Sequence, residues 1–163
     1  MIGNDVVDLA LTRRESNWKR TGFLEKIFTR HEQLLIKNTD NPELLIWNLW
    51  SRKEAAYKIY NRVTGIRAFN PLCLECFYIN EHEGMVLCKG NVYFTKTVIK
   101  NTFIHSIAVT DVADFALVEN VERKQTIVKK DGIPFTYCQQ KRALQPVSIS
   151  HHGRYSKIIT LKK

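Results

Sequence analysis

Acidic side chains almost vanish from the last quarter of this 163-residue chain: residues 122–163 carry two, against ten Lys and Arg. The first 121 residues are nearly balanced, with 15 basic and 14 acidic side chains, so most of the formal charge of +9 sits in the C-terminal stretch. A surface this one-sided points to a polyanionic partner: nucleic acid, an anionic membrane, a phosphate-rich cofactor or an acidic protein. Long apolar runs are absent as well. None approaches the ~18–20 residues of a membrane span, and the N-terminus lacks the basic and apolar regions of a secretion signal, so a cytoplasmic location is expected. The chain shows no Pro/Gly/Ser linker, internal repeat or low-complexity run, which argues for one domain over residues 1–163. Its four cysteines need not pair, and a reducing compartment suits them. With 44% hydrophobic and 25% charged residues, it has the composition of a globular protein.

What is present falls into two halves. Residues 2–9 are apolar and β-branched apart from Asn4, Asp5 and Asp8, and read as a short strand. Thr12-Arg13-Arg14-Glu15 and Thr29-Arg30-His31-Glu32 have capping-box spacing, which predicts helix starts at both. The best-marked helix has Asn41 as N-cap, Pro42 in its first position and Gly65 as terminator; residues 42–63 contain no glycine or internal proline and are apolar on several faces. From residue 69 the period changes to two. Strands are expected over 72–79, 85–89, 91–99, 103–109, 115–121, 147–150 and 155–161, with a polar turn at 80–84 and a turn at Asp131-Gly132. Helices first and strands afterwards predict an α+β fold with an antiparallel sheet packed against helices.

Two constellations can carry chemistry. Glu54 and Lys58 stand four apart on one helical face, with Trp50 one turn earlier. They read either as an exposed stabilising pair or, with Asp5 on its apolar strand, as a site at which Mg²⁺ and phosphate oxygens satisfy two carboxylates. Ser148-Ile149-Ser150-His151-His152-Gly153-Arg154 reads either as a polar turn or as a donor-rich phosphate contact. Other features carry less. Zinc at His151 and His152 lacks nearby further ligands, Cys73 and Cys76 on a strand face opposite ways, and His105 reads as an ordinary strand histidine.

These segments together resemble the 4′-phosphopantetheinyl transferase superfamily. Ile2-Gly3-Asn4-Asp5-Val6-Val7-Asp8-Leu9 is similar to its opening strand, and Phe28-Thr29-Arg30-His31-Glu32 to an early helix start. Trp50-Ser51-Arg52-Lys53-Glu54-Ala55-Ala56-Tyr57-Lys58 matches its W-S-x-K-E-A-x-x-K signature and is followed by Gly65-Ile66, and Val147-Ser148-Ile149-Ser150-His151 resembles its closing S-x-S-H. The short holo-acyl-carrier-protein synthase type is the nearest. It implies a Mg²⁺-dependent transfer of 4′-phosphopantetheine from coenzyme A to a serine of an apo acyl or peptidyl carrier protein, by a homotrimer whose sites lie across subunit interfaces.

The resemblance further implies Asp5 and Glu54 as metal ligands, Glu54 and Lys58 as catalytic groups, and Lys53, Lys58, Ser150, His151 and Arg154 against coenzyme A. Arg13 and Arg14 are implied for the carrier. Two departures stand out. Residues 81–128 are longer than the short type needs, as if a hairpin had been added. Gly132-Ile133-Pro134 replaces G-K-P, so Lys129, Lys130, Lys141 or Arg142 would supply the missing cation, lining one groove with Arg154. The two-domain type's further acid is also absent, with Val7 in its place. The alternatives are a nucleic-acid-binding module, suggested by the basic C-terminal quarter, and a catalytically degenerate coenzyme A-binding protein.

Overall fold

The structure, a computed structural model, describes residues 1–122, 126–138 and 142–162. Strand β1 (Ile2–Asp8) leads into α1 (Leu9–Glu15), α2 (Phe23–Ile27), α3 (Arg30–Lys37) and the long α4 (Pro42–Thr64). There follow β2 (Leu74–Tyr78), β3 (Glu83–Cys88), β4 (Asn91–Ile99), β5 (Phe103–Val109) and β6 (Val118–Asn120), then β7 (Ile127–Lys130), β8 (Ile133–Cys138), β9 (Ala143–His152) and β10 (Tyr155–Leu161). The strands form two five-stranded sheets, ordered β1-β5-β4-β3-β2 and β6-β10-β9-β8-β7, with antiparallel pairing throughout.

The local signals for the third and fourth helices hold. Thr29 and Glu32 form a reciprocal capping box on α3. Asn41 caps α4 through Leu44 N–H, and Gly65 closes it in the left-handed region at φ 70°. The first helix differs from expectation. Its N-cap is Asp8, whose carboxylate accepts from Ala10 and Leu11 N–H, while Thr12 lies inside the helix and donates to the Leu9 carbonyl. An Asx cap directly after the strand starts α1 four residues before the position that the Thr12 spacing suggests. The strand expected over 115–121 forms only in part: Asp111 caps a 3₁₀ turn over Val112–Leu117, leaving β6 extended. Within residues 81–128, β4 and β5 lie between β1 and β3 in the first sheet.

The main core gathers α4, the inner faces of β1–β5 and α2–α3, with Ile46, Leu49, Ala55, Ala56, Ile59, Val86, Ile104 and Ala108 fully buried. Helix α4 lies close against β1 because the strand offers it no side chain at one point. A Cβ on Gly3 would stand 2.0 Å from the Ala55 carbonyl oxygen, so any other residue must push the helix away. Gly3→Ala is therefore expected to destabilise by about 2–3 kcal/mol through overpacking. That loss should lower the thermal midpoint by roughly 5–10 °C, measurable by calorimetry. An unchanged midpoint would remove the close approach as a constraint.

Candidate active site

Strand β1 is at the edge of the first sheet. Its seven residues pair in register with β5, and the main-chain groups of Ile2, Asn4, Val6 and Asp8 face outward. These residues are at most 3% exposed, so their polar groups need partners other than water. Side chains of β9 supply them. Asn4 N–H donates to Ser148 Oγ at 2.9 Å, Val6 N–H to Ser150 Oγ at 2.9 Å, and Asp8 N–H to His152 Nδ1 at 2.8 Å. Helix α4 supplies the outward carbonyls. Lys58 Nζ donates to Asn4 O at 2.6 Å and Ile149 O at 3.2 Å, and Arg62 donates to Ile2 O and Val147 O. Both cations thus clamp a β1 carbonyl to a β9 carbonyl.

This seam places the predicted groups together. Asp5 Oδ1 lies 3.6 Å from Lys58 Nζ and accepts the Ser150 hydroxyl at 2.9 Å. Asp5 and Glu54 share a cleft of about 300 Å³ with Trp50, His151 and His152, and Thr12 of α1 and the helix's C-cap Ser16 also line it. A second cleft of about 160 Å³ lies beside Lys58, walled by Tyr57, Arg62, Ile149 and the Gly132-Ile133-Pro134 turn. Burial pushes the Glu54 carboxyl up to about 7, with the Asp5 charge adding to the shift and Lys58 partly opposing it. Burial also raises Asp5, against Lys58 and the Ser150 hydrogen bond. Two half-buried carboxylates with one adjacent ammonium carry an excess of negative charge. A hard divalent cation taking two carboxylate oxygens relieves that excess, so this donor set fits Mg²⁺.

Several predicted residues sit elsewhere. Lys53 is fully buried, 2.6 Å from Glu32, and donates to the Ile27 and Pro71 carbonyls. One residue before Glu54, it projects into the core rather than lining either cleft. Arg154 grips Asp8 through Nε and Nη2, both at 2.8 Å, and its backbone N–H reaches the same carboxylate at 3.1 Å. These bonds hold Asp8 well below the usual carboxylate range and raise Arg154. Ser150 is turned onto β1 and Asp5, whereas His151 is exposed at the cleft.

The proposed basic groove divides. Lys129 and Lys130 are exposed on β7, the outermost strand of the second sheet, separated from β9 by β8. Arg142 is exposed just before β9, and Lys141 falls outside the described residues. Arg13 and Arg14 close the exposed end of α1, with Arg13 Nε 3.0 Å from Glu43.

Sequence reasoning missed Arg62, His152 and Arg67. A Cβ on Gly132 would stand 3.1 Å from Arg67 Nη2, which puts this guanidinium against the turn where the expected lysine is replaced by Ile133. The missed signal for His152 was the period-two spacing of Ser148, Ser150 and His152, which marks one face of a strand.

Two carboxylates and a lysine thus meet beside two clefts, the second of them also lined by Arg62. The chain belongs to the 4′-phosphopantetheinyl transferase superfamily, whose profile matches residues 1–110. It is 29% identical over 89 residues to the holo-[acyl-carrier-protein] synthase of Caldanaerobacter subterraneus subsp. tengcongensis, a match covering 55% of this chain and 68% of that protein. Its fold resembles the Helicobacter pylori holo-[acyl-carrier-protein] synthase solved with coenzyme A, with a TM-score of 0.54 and 18% identity, over 68% of this chain and 100% of that one. The Thermotoga maritima synthase is similar over 99% of this chain and 83% of its own, with a TM-score of 0.53 and 15% identity.

The raised Glu54 has a consequence for stability. The folded chain holds this proton from the ordinary value of 4.5 up to about 7, where the unfolded chain has lost it, so stability falls as pH rises through that window. The loss amounts to roughly 3 kcal/mol. Glu54→Gln should remove it, so the variant should gain on the metal-free wild type between pH 5 and 8 in denaturant titrations. A constant difference across that range would contradict the raised carboxyl.

Proposed function

We propose that this chain moves the 4′-phosphopantetheine group of coenzyme A onto a serine of an apo acyl or peptidyl carrier protein, releasing adenosine 3′,5′-bisphosphate. The observation that carries this reading is the meeting of Asp5 and Glu54 in one cleft, with Lys58 3.6 Å from Asp5, in a chain of this superfamily. Asp5 and Glu54 would hold Mg²⁺, which when bound supplies positive charge to the pyrophosphate oxygens. The carrier's serine oxygen attacks the phosphorus on the pantetheine side, forming one P–O bond as the bond to the departing bisphosphate breaks. Glu54 takes the serine proton, and Lys58 offsets the negative charge gathering on the phosphoryl oxygens.

Around this centre, His151 at the cleft and Arg67 beside Gly132 are the groups we assign to coenzyme A phosphates, in place of Lys53 and Arg154. Arg13 and Arg14, exposed on the helix that lines the cleft, are assigned to an acidic carrier surface. The four cysteines are unpaired, in keeping with a cytoplasmic setting.

Incubation with coenzyme A, Mg²⁺ and a panel of apo carriers should raise a carrier's mass by one phosphopantetheine group. Glu54→Gln should lower the rate by about 10²–10⁴-fold while the fold is kept. Chelation should stop transfer, and added Mg²⁺ should raise the wild-type melting temperature more than that of Glu54→Gln. Coenzyme A binding without turnover on any carrier would favour the degenerate binding protein instead.

A further inference from the structure

Asp8 joins the strand that carries Asp5 to the helix that lines the same cleft, and the chain closes around it. Its side chain is 2% exposed. Oδ1 accepts the amides of Ala10 at 3.0 Å and Leu11 at 3.4 Å, which caps α1, and also takes Arg154 Nη2 at 2.8 Å. Oδ2 takes the Arg154 backbone N–H at 3.1 Å and Nε at 2.8 Å. These five donors fill the roughly four lone-pair positions of a carboxylate, so Asp8 has none left to offer a cation. Its own amide donates to His152 Nδ1.

The donors from the second sheet all come from the end of β9 and the turn that follows, His152 to Arg154. Gly153 has φ 54°, and a Cβ there would stand 2.6 Å from Asp8 Oδ2 and 3.0 Å from Leu11 Cδ2. Only glycine lets this turn close on both the carboxylate and the helix. Arg154 completes the hold. Its side chain is 57% exposed, yet its head is fixed on Asp8 and lies 5.4 Å from the Tyr155 ring.

Helix α1 has little else to set its direction. It is seven residues long with only Leu9 and Thr12 buried, and a helix of that length is marginal by itself. Farther along, Arg13 meets Glu43 in an exposed pair, a kind of contact that contributes little. Thr12 and Ser16 nevertheless form part of the cleft that holds Asp5 and Glu54, and Arg13 and Arg14 are the groups assigned above to the carrier. The hold on Asp8 therefore decides where this wall of the cleft stands.

Resting on the transferase reading, we propose that Arg154 is a positioning residue for the carrier: through Asp8 it fixes the direction of α1, and with it the wall at which the carrier's serine arrives. The family resemblance implies a coenzyme A contact for this arginine; its work is instead on the other substrate. His151, three residues earlier, remains the group facing coenzyme A, so one hairpin serves both substrates from neighbouring positions.

Steady-state kinetics separate these roles. In Arg154→Ala the KM for the carrier should rise about 10-fold, as a slight misplacement of a positioned element does, while the KM for coenzyme A is unchanged. Arg154→Lys keeps the charge and the backbone N–H and should recover part of the loss. Asp8→Asn keeps an N-cap side chain but drops the charge that holds the guanidinium. It should raise the carrier KM as Arg154→Ala does, and the double variant should add nothing further. A rise in the coenzyme A KM alone, a rise in both, or no change in either overturns the proposal.

Amide hydrogen exchange needs neither turnover nor a carrier. In Arg154→Ala the α1 amides should exchange about 10-fold faster than in wild type, while those of α4 keep their rates. Equal quickening in α1 and α4 is general destabilisation and overturns the proposal, as does unchanged exchange in α1 even if transfer is confirmed. Faster exchange confined to α1, in a protein that modifies no carrier, sinks the transferase reading and the carrier role with it, while the hold of Arg154 on α1 stands.

Discussion

The buried outer edge of β1 is the constraint on which the rest of this structure depends. An edge strand sealed from water carries unpaired amides and carbonyls, each costing about 1–3 kcal/mol if left alone. Among the described residues no backbone strand adds to that edge. Three side chains at every second position of β9 accept its amides, and two α4 cations bind its carbonyls. That choice sets the spacing between the sheets and brings a donor-rich strand face beside the carboxylates. A regular ladder in its place would have satisfied the edge but left no side chain to orient Asp5.

Helix α4 shows how neighbouring cations on one helix acquire different tasks from direction alone. Arg52 turns inward and donates to Thr97 Oγ1 and to the carbonyls of Asn80, Glu81 and Glu83, holding the β2–β3 turn without any carboxylate. Lys53 points to another part of the core and closes a fully buried pair with Glu32, which also accepts from Cys76 N–H. Lys58 and Arg62, one turn apart, reach the β1–β9 seam. Because Gly3 lets the helix approach β1 closely, Glu54 arrives beside Asp5 in a partly desolvated space, and the repulsion between the two leaves room for a cation.

Much of the fold was legible from local rules. The caps of α3 and α4 depend on contacts within one turn, and the strands expected over 91–99, 103–109 and 155–161 coincide with β4, β5 and β10. Where the reading failed, a competing local or distant partner decided. Asp8 captured the cap of α1 from Thr12, and Asp111 curled the first part of the strand expected over 115–121. Ser148, Ser150 and His152 read as either a polar turn or a phosphate contact, and their actual partners lie about 144 residues away in sequence. Of the site, Asp5, Glu54 and Lys58 were legible as residue types at meaningful spacing, while Lys53 and Arg154 could not be sorted from them.

By itself, then, the sequence determined the helix-then-strand order, the acidic and basic groups available for phosphate chemistry, and a C-terminal quarter rich in cations, because these rest on neighbours along the chain. Only the tertiary structure decided which charges are free. It neutralised Arg154 on Asp8, buried Lys53 on Glu32, set Lys129 and Lys130 on a distant strand and brought Arg67 to Gly132. The reason is physical: a charge's availability depends on what lies within a few ångströms of it in space.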